Sequence, residues 1–517
     1  MNPDRCSIWS PTEKQHRTLK SSLNTHRARG NRTISVASFS FTPAILLKTL
    51  DDPSLGPQRQ LAYRLHFIRL NWNRRAKVGA KPTEHSIEMN PSHLLHEVQA
   101  VAGVLIFLVS YFVFAWGKFP GTRIDRPAMA VIGAALLFVF RVLTPLAALE
   151  SIDFNTLVLL FSMMLIVAAL HLAGFFEWIT AHVIERIPHR HLLGIVILTS
   201  GVLSAFLVND VICVFMTPLL LHITSELKRP ATPYLLALAT ASNIGSAASI
   251  TGNPQNMLIG SISHIGYTDF LLHLGPIALV GLGINWLVLR LMCAKDLARE
   301  LEEQPAFTPM RRQVPRPLGA DAARAVPAPD GAIWKPVVIT AFVLSGFLLG
   351  LPPALVAISG AILLLMSRKI SPRDLYEEVD WSLLLFFAGL FLILGGAQSV
   401  HITDRLLAAA RHLNLENTAI FAAVVSLLSN LVSNVPAVML LRPVMAQFRN
   451  PRAAWLLLSM ASTLAGNLTI TGSVANIIVV EKARAAVHIS FKDYLRVGVP
   501  ITLLTLFFGV AWLHFVG

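Results

Sequence analysis

Apolar runs of about 20 residues, the length that carries one helix across a bilayer core, recur from His96 to the C-terminus. In hydrocarbon, backbone polar groups find partners only in helices and closed barrels. A barrel would show short alternating segments, whereas the runs here are long and unbroken. Composition agrees: 14% of the residues are charged, against about 25% in soluble domains, and the mean hydropathy is +0.60. The expected fold is an all-α polytopic membrane protein with roughly 11 transmembrane spans.

Polar interruptions of these runs come in two matching sets. In the first half, AFLVNDVICVFMTP begins at Ala205 and ASNIGSAASITGNPQNMLI at Ala241. In the second, LSNLVSNVPAVMLLRP begins at Leu428 and ASTLAGNLTITGSVANIIV at Ala461. Shifted by 220 residues, Ala241, Ser242, Ile250, Thr251, Gly252 and Asn256 fall on identical residues. At an offset of 224, Asp210-Val211 falls on Asn434-Val435, and at 227 Asp153 falls on Asp380. Three landmarks in the same order divide the chain into a transmembrane repeat at 94–294 and another at 334–517.

Between them, 295–333 reads as a polar linker. Arg311, Arg312, Arg316 and Arg324 favour the cytoplasmic side for it. Residues 1–88 hold 15 Lys and Arg against 6 Asp and Glu. They read as a basic, disordered leader, with Met89 as an alternative start. Nothing in the leader resembles a nucleic-acid-binding module, so no nucleic-acid partner is expected. The three cysteines are too widely spaced for a disulfide framework or a zinc site. No His-Glu-x-x-His, nucleophile elbow or phosphate-binding loop is present, so neither an enzyme nor a cofactor is expected.

A helix broken inside the membrane leaves N–H groups free at one end and carbonyls at the other. The first attract anions and the second cations. A single Gly-x-x-x-Asn is ordinary helix packing. Two in register, each after an Asn-bearing break, point to a site. Ser429 and Ser433 are spaced to share one helix face. With Asn434 and the carbonyl near Gly472 they offer an oxygen cage for sodium. Asn209, Asp210, Ser433 and Asn434 are expected to line the centre, completed by Gly252, Asn253, Asn256, Gly472, Ser473 and Asn476. An Asp inside the membrane costs about 2.5–3.5 kcal/mol on insertion scales, so Asp210 needs a partner, an ion or a proton. Pairing with Arg442 and a coupling role both remain open. His171 and His222 read as satisfied helix residues, and Met163 and Met164 as core.

These residues resemble the ion transporter superfamily of divalent anion/sodium symporters, citrate transporters, arsenite permeases and related sodium/proton antiporters. The resemblance rests on Ile152-Asp153, Phe206 to Pro218, Thr251 to Asn256, Asp380-Trp381, Ser433-Asn434-Val435-Pro436 and Thr471 to Asn476, within about 97–517. It implies two inverted repeats, each with a scaffold part and a transport part holding a re-entrant hairpin. A homodimer and elevator-like alternating access are also implied. The family's sodium symporters carry Ser-Asn-Thr at each tip. Here the second tip reads Ser433-Asn434-Val435. The first reads Val208-Asn209-Asp210, with Ser204 four residues earlier, nearer the arsenite-permease and antiporter pattern.

The expected function is secondary active transport of a small anion (citrate, a dicarboxylate or an oxyanion such as arsenite) coupled to sodium or protons. A sodium/proton antiporter using Asp210 is the alternative, and a passive channel suits the matched halves less well. The expected location is a bacterial inner membrane.

Overall fold

Helices form where the apolar runs predict them, and polar side chains fix where many of them start. The computed structural model describes residues 91–179, 191–297, 333–367 and 370–516, which fall in one compact unit, Met89–Gly517. The leader at 1–88 and nearly all of the linker lie outside the described residues. In order, the first-half helices are α1 (Pro91–Trp116), α2 (Arg126–Val139), α3 (Pro145–Ser151), α4 (Phe154–Leu172), α5 (Leu192–Phe206), α6 (Asn209–Glu226), α7 (Ala231–Ser246), α8 (Pro254–Ser263) and α9 (Tyr267–Met292). The second half supplies α10 (Trp334–Leu348), α11 (Pro353–Leu365), α12 (Pro372–Glu377), α13 (Trp381–Ser399), α14 (Ile402–Ala410), α15 (Thr418–Val432), α16 (Asn434–Leu441), α17 (Pro451–Ala465), α18 (Val474–Ala483) and α19 (Phe491–Val516). No strand occurs among the described residues.

The repeated aspartates at the entrances of α4 and α13 are N-caps. Asp153 Oδ1 accepts from the Thr156 N–H at 3.1 Å, and Asp380 Oδ1 from the Leu383 N–H at 3.0 Å. Such a cap satisfies a donor that helix geometry leaves free. Among the described residues, five helices are long and apolar enough to cross a membrane: α1, α4, α9, α13 and α19. Shorter apolar helices of 10–17 residues, among them α2, α5, α10, α11 and α15, fill the space between.

The apolar run from Pro127 to about Leu149 does not form one helix: α2 ends at Val139. The chain turns at Arg141, where φ is +55°, and restarts as α3 on the Thr144 cap. The Arg141 carbonyl is held there by the Gln99 amide at 3.0 Å. Likewise, α15 stops at Val432, so Ser433 is the break itself and does not share a helix face with Ser429.

α4 and α13 run antiparallel. His171, in the last turn of α4, faces Glu378 just before α13 at 3.7 Å, while Ser151, just before α4, lies against Gly395 near the end of α13. The two halves interleave: α2 packs on α13, α4 on α11, α6 on α18, α8 on α17 and α9 on α19. α5 and α7 approach most closely where a side chain at Gly245 would strike the Gly201 backbone. Met163 and Met164 are core, as expected.

Candidate functional site

Two helix–break–helix pairs carry the Asn-bearing tips. Between α5 and α6, Leu207 and Val208 are extended, and α6 starts at Asn209. Between α15 and α16, the break is the single residue Ser433, at φ +76° and ψ 158°. A non-glycine there stores about 1–3 kcal/mol of strain, and such residues cluster at functional positions. The arms of each pair pack on one another.

The Thr-Gly-x-x-x-Asn segments form two further breaks with one design. After α7 the chain makes a short 3₁₀ turn, Ile250–Gly252, before α8; after α17 it does the same at Ile470–Gly472 before α18. In the first, the Asn256 amide donates back to the carbonyls of Ser246 and Ser249, at 3.0 Å each. In the second, the Asn476 amide donates to Gly466 and Thr469, at 2.7 and 3.0 Å. The acceptors, like the donors, are 220 residues apart. Each Asn therefore satisfies the carbonyls that its own break frees.

The two breaks bond across to one another in reciprocal pairs. Asn253 Nδ2 donates to Thr463 Oγ1 at 3.2 Å, and its counterpart Ser473 donates to Asn243 Oδ1, the counterpart position, at 2.9 Å. Thr463 Oγ1 donates to Asn256 Oδ1 at 3.4 Å, and Asn243 Nδ2 to Asn476 Oδ1 at 2.9 Å. Asn243 Nδ2 also reaches Asn467 Oδ1 at 2.9 Å. The tips join the same exchange. Asn209 Nδ2 donates to Asn243 Oδ1 at 3.1 Å. Asp210 faces the Ala475 backbone N–H, and Asn434, in the orientation that satisfies both ends of its amide, accepts from Gln255 Nε2 at 3.2 Å. Ala475 is 220 residues beyond Gln255, and Asn434 is 224 beyond Asp210.

All eleven expected site residues lie on these four breaks or in the helices next to them. Their uses differ. Asn253, Asn256 and Asn476 direct their amides into the turns and across the interface, so they shape the site. Asn209 keeps its Oδ1 buried with no partner among the described residues. Asp210, half-buried, forms no ion pair with Arg442 among the described residues. Arg442 lines a separate polar cavity of about 230 Å³ with Glu150 and Gln398. Asp210 sits instead at the N-terminus of α18, where a carboxylate is favoured. His171 stacks on Phe215 at 3.7 Å, and among the described residues its Nδ1 has no hydrogen bond but faces the Glu378 carboxylate at 3.7 Å.

A small hard cation fits the second tip in part. Ser429 Oγ is buried and unpartnered among the described residues, so an oxygen is free to ligate. The Asn434 amide lies 3.2 Å from both the Gly472 and the Ser462 carbonyl oxygens. In the orientation that satisfies both ends of the amide, Nδ2 faces those carbonyls. Ser433 supplies the bend. Ser204 Oγ, at the equivalent place before the first tip, is also buried without a partner.

The two 3₁₀ turns differ in access. Thr251 is fully buried, bonded to Tyr267 Oη at 2.9 Å and to the Phe206 carbonyl at 3.2 Å. Thr471 is exposed, and Val474 beside it is 39% exposed. The second turn is the open one.

Five contributors escaped the sequence reading: Asn243, Ser246, Gln255, Thr463 and Asn467. Asn243 and Thr463 occupy one position in the two halves, but they differ in type, so an alignment of identities passes over them.

Known proteins resemble this chain over most of its length. A family profile described as citrate transporter matches residues 111–451. A silicon efflux transporter of Oryza sativa subsp. japonica, LSI3, is 32% identical over 80% of this chain and 97% of its own length. The putative transporter arsB of Dictyostelium discoideum is 25% identical over 80% of this chain and 92% of its own. The solved Alcanivorax borkumensis YdaH transporter aligns with 81% of this chain and 97% of its own at 13% identity, with a TM-score of 0.48. With apolar helices of spanning length and a profile match over most of the chain, this multi-pass membrane protein belongs to the citrate transporter family, whose members are secondary anion transporters.

Proposed function

We propose that the protein carries a small oxyacid in its hydroxylated, uncharged form, with sodium held at the second tip and alternating access through two inverted halves. One observation carries this reading. The central network is built of amides and hydroxyls with a single carboxylate, Asp210, and none of its side chains is cationic. A citrate trianion would leave water for a site whose one charge repels it, and an unpaired buried charge is costly. Silicic and arsenous acids are uncharged near neutral pH and present hydroxyls that donate to and accept from amides. The name of the rice relative points the same way. The reciprocal bonds and the antiparallel α4 and α13 support inverted halves, and the unequal exposure of Thr251 and Thr471 suits a state open on one side.

Uptake into proteoliposomes under a sodium gradient, a proton gradient or neither tests the reading. Arsenous acid should accumulate with sodium and not without it. Asn434→Ala should abolish this accumulation while the purified protein melts as wild type does. Wild-type flux in that variant would remove Asn434 from the site. Asp210, the carboxylate of this network, favours a second reading as a sodium/proton antiporter. In that case sodium addition alone would shift the internal pH.

A further inference from the structure

Asn434 stands between two kinds of group. At one end of its amide are two acceptors, the carbonyl oxygens of Gly472 and Ser462; at the other is a donor, Gln255 Nε2, and all three separations are 3.2 Å. Without a cation only one orientation is satisfied. Nδ2 faces the carbonyls, and Oδ1 accepts from Gln255. Turned by half a rotation, the amide would bring Oδ1 against two carbonyl oxygens, which is unfavourable unless a cation joins them. The spacing suits one. Oxygens bound at right angles to a hard cation at about 2.3–2.6 Å lie roughly 3.2–3.7 Å apart.

Such a rotation does not stop at Asn434. It points Nδ2 at Gln255 Nε2, donor against donor, so Gln255 must turn as well. Little holds it back, because its one other bond runs from Nε2 to Thr463 Oγ1 at 3.4 Å. The far end of the Gln255 amide, Oε1, has no partner among the described residues and is not among the sealed, unsatisfied atoms. It is the end the site presents to a solute. Turning Gln255 replaces that acceptor with an NH₂ donor.

Resting on the sodium reading above, we propose that Asn434 and Gln255 form an amide relay. Sodium bound by Asn434 Oδ1 with the Gly472 and Ser462 carbonyls turns both amides, and Gln255 then offers a donor to the oxyacid. Neither residue transfers an atom; the relay changes only which end of each amide faces the site. Sodium and solute become linked, and linkage makes the effect reciprocal.

The test measures binding to the purified full-length protein in detergent, by calorimetry, with sodium chloride alone and then with arsenous acid. The two amides bond to each other in either state, so what turning Gln255 forfeits is its 3.4 Å bond to Thr463 Oγ1, which Gln255→Met never has. That bond is worth about 0.5 kcal/mol, so sodium should bind about two-fold more tightly to the variant. Sodium should strengthen arsenous acid binding in the wild type and have no effect on it in Gln255→Met. Asn434→Asp, which cannot donate to the carbonyls, should keep sodium binding and also lose the linkage, covering the case in which Gln255→Met fails to fold. Unchanged or weaker sodium binding in Gln255→Met, persistent linkage in either variant, or no sodium binding to the wild type would overturn the relay. Failure of arsenous acid to bind the wild type, with the two-fold sodium effect intact, would overturn the oxyacid reading and leave the relay standing.

Discussion

Removing the Asn256 amide should destabilise the protein more than removing its counterpart Asn476, although both make the same pair of bonds. Asn256→Ala takes the donors from the Ser246 and Ser249 carbonyls and the acceptor from the Ser459 hydroxyl, which donates to Asn256 Oδ1 at 2.7 Å. Asn256, Ser246, Ser249 and Ser459 are all fully buried, so water cannot replace the lost bonds. Each buried group left unsatisfied costs about 1–3 kcal/mol, and with alternative weak partners for the carbonyls the total is roughly 3–6 kcal/mol. Asn476→Ala frees the Gly466 and Thr469 carbonyls, but Thr469 is only half-buried beside the exposed Thr471. Asn243 Nδ2 keeps its bond to Asn467. A water at Thr469 and the surviving bond reduce the cost to roughly 1.5–3 kcal/mol. Thermal unfolding in detergent, followed by far-UV circular dichroism, measures both variants. Equal losses, or a larger loss in Asn476→Ala, would refute the claim that only the first turn is sealed from water.

Other substitutions follow from the same contacts. Gly252→Ala should abolish folding or transport, because its Cβ would strike the Ser246 backbone; Gly472→Ala meets the Asn430 side chain at 2.7 Å and the Gly466 carbonyl at 2.9 Å, a smaller overlap than at Gly252, and should be milder. Expression and melting of the two variants give the comparison. Tyr267→Phe removes the hydroxyl that bonds Thr251 and should cost about 1 kcal/mol, read from its melting temperature. Arg452 holds Asp269 through two nitrogens and ties α17 to α9. Arg452 is 49% exposed, so Arg452→Ala should cost no more than about 1 kcal/mol, and raising the salt concentration should shrink the difference from wild type.

The sequence exposes the breaks because a polar residue inside an apolar run needs a reason. Asn209, Asn434 and the two Thr-Gly-x-x-x-Asn segments stand out on that ground, and each is a break in the structure. The aspartates at 153 and 380 stand out too, as the caps they are. The crossing between halves is hidden because it is tertiary. Asn243 and Thr463 lie in Ala- and Ser-rich helices where small polar residues are ordinary packing, and Gln255 reads as one more polar residue after a turn. The same-face expectation for Ser429 and Ser433 fails because spacing alone cannot say at which residue a helix stops. Arg141 shows the same limit: a charge in an apolar run can mark a snorkelling side chain or, as here, a turn.

The most direct test of the central claim is counterflow. Liposomes holding the purified protein would be loaded with unlabelled arsenous acid and placed in labelled arsenous acid, with sodium equal on both sides. The account predicts transient accumulation of label, suppressed by silicic acid and not by citrate. Counterflow of citrate that neither oxyacid inhibits would contradict it, and would mean that the amide-lined centre binds a charged carboxylate.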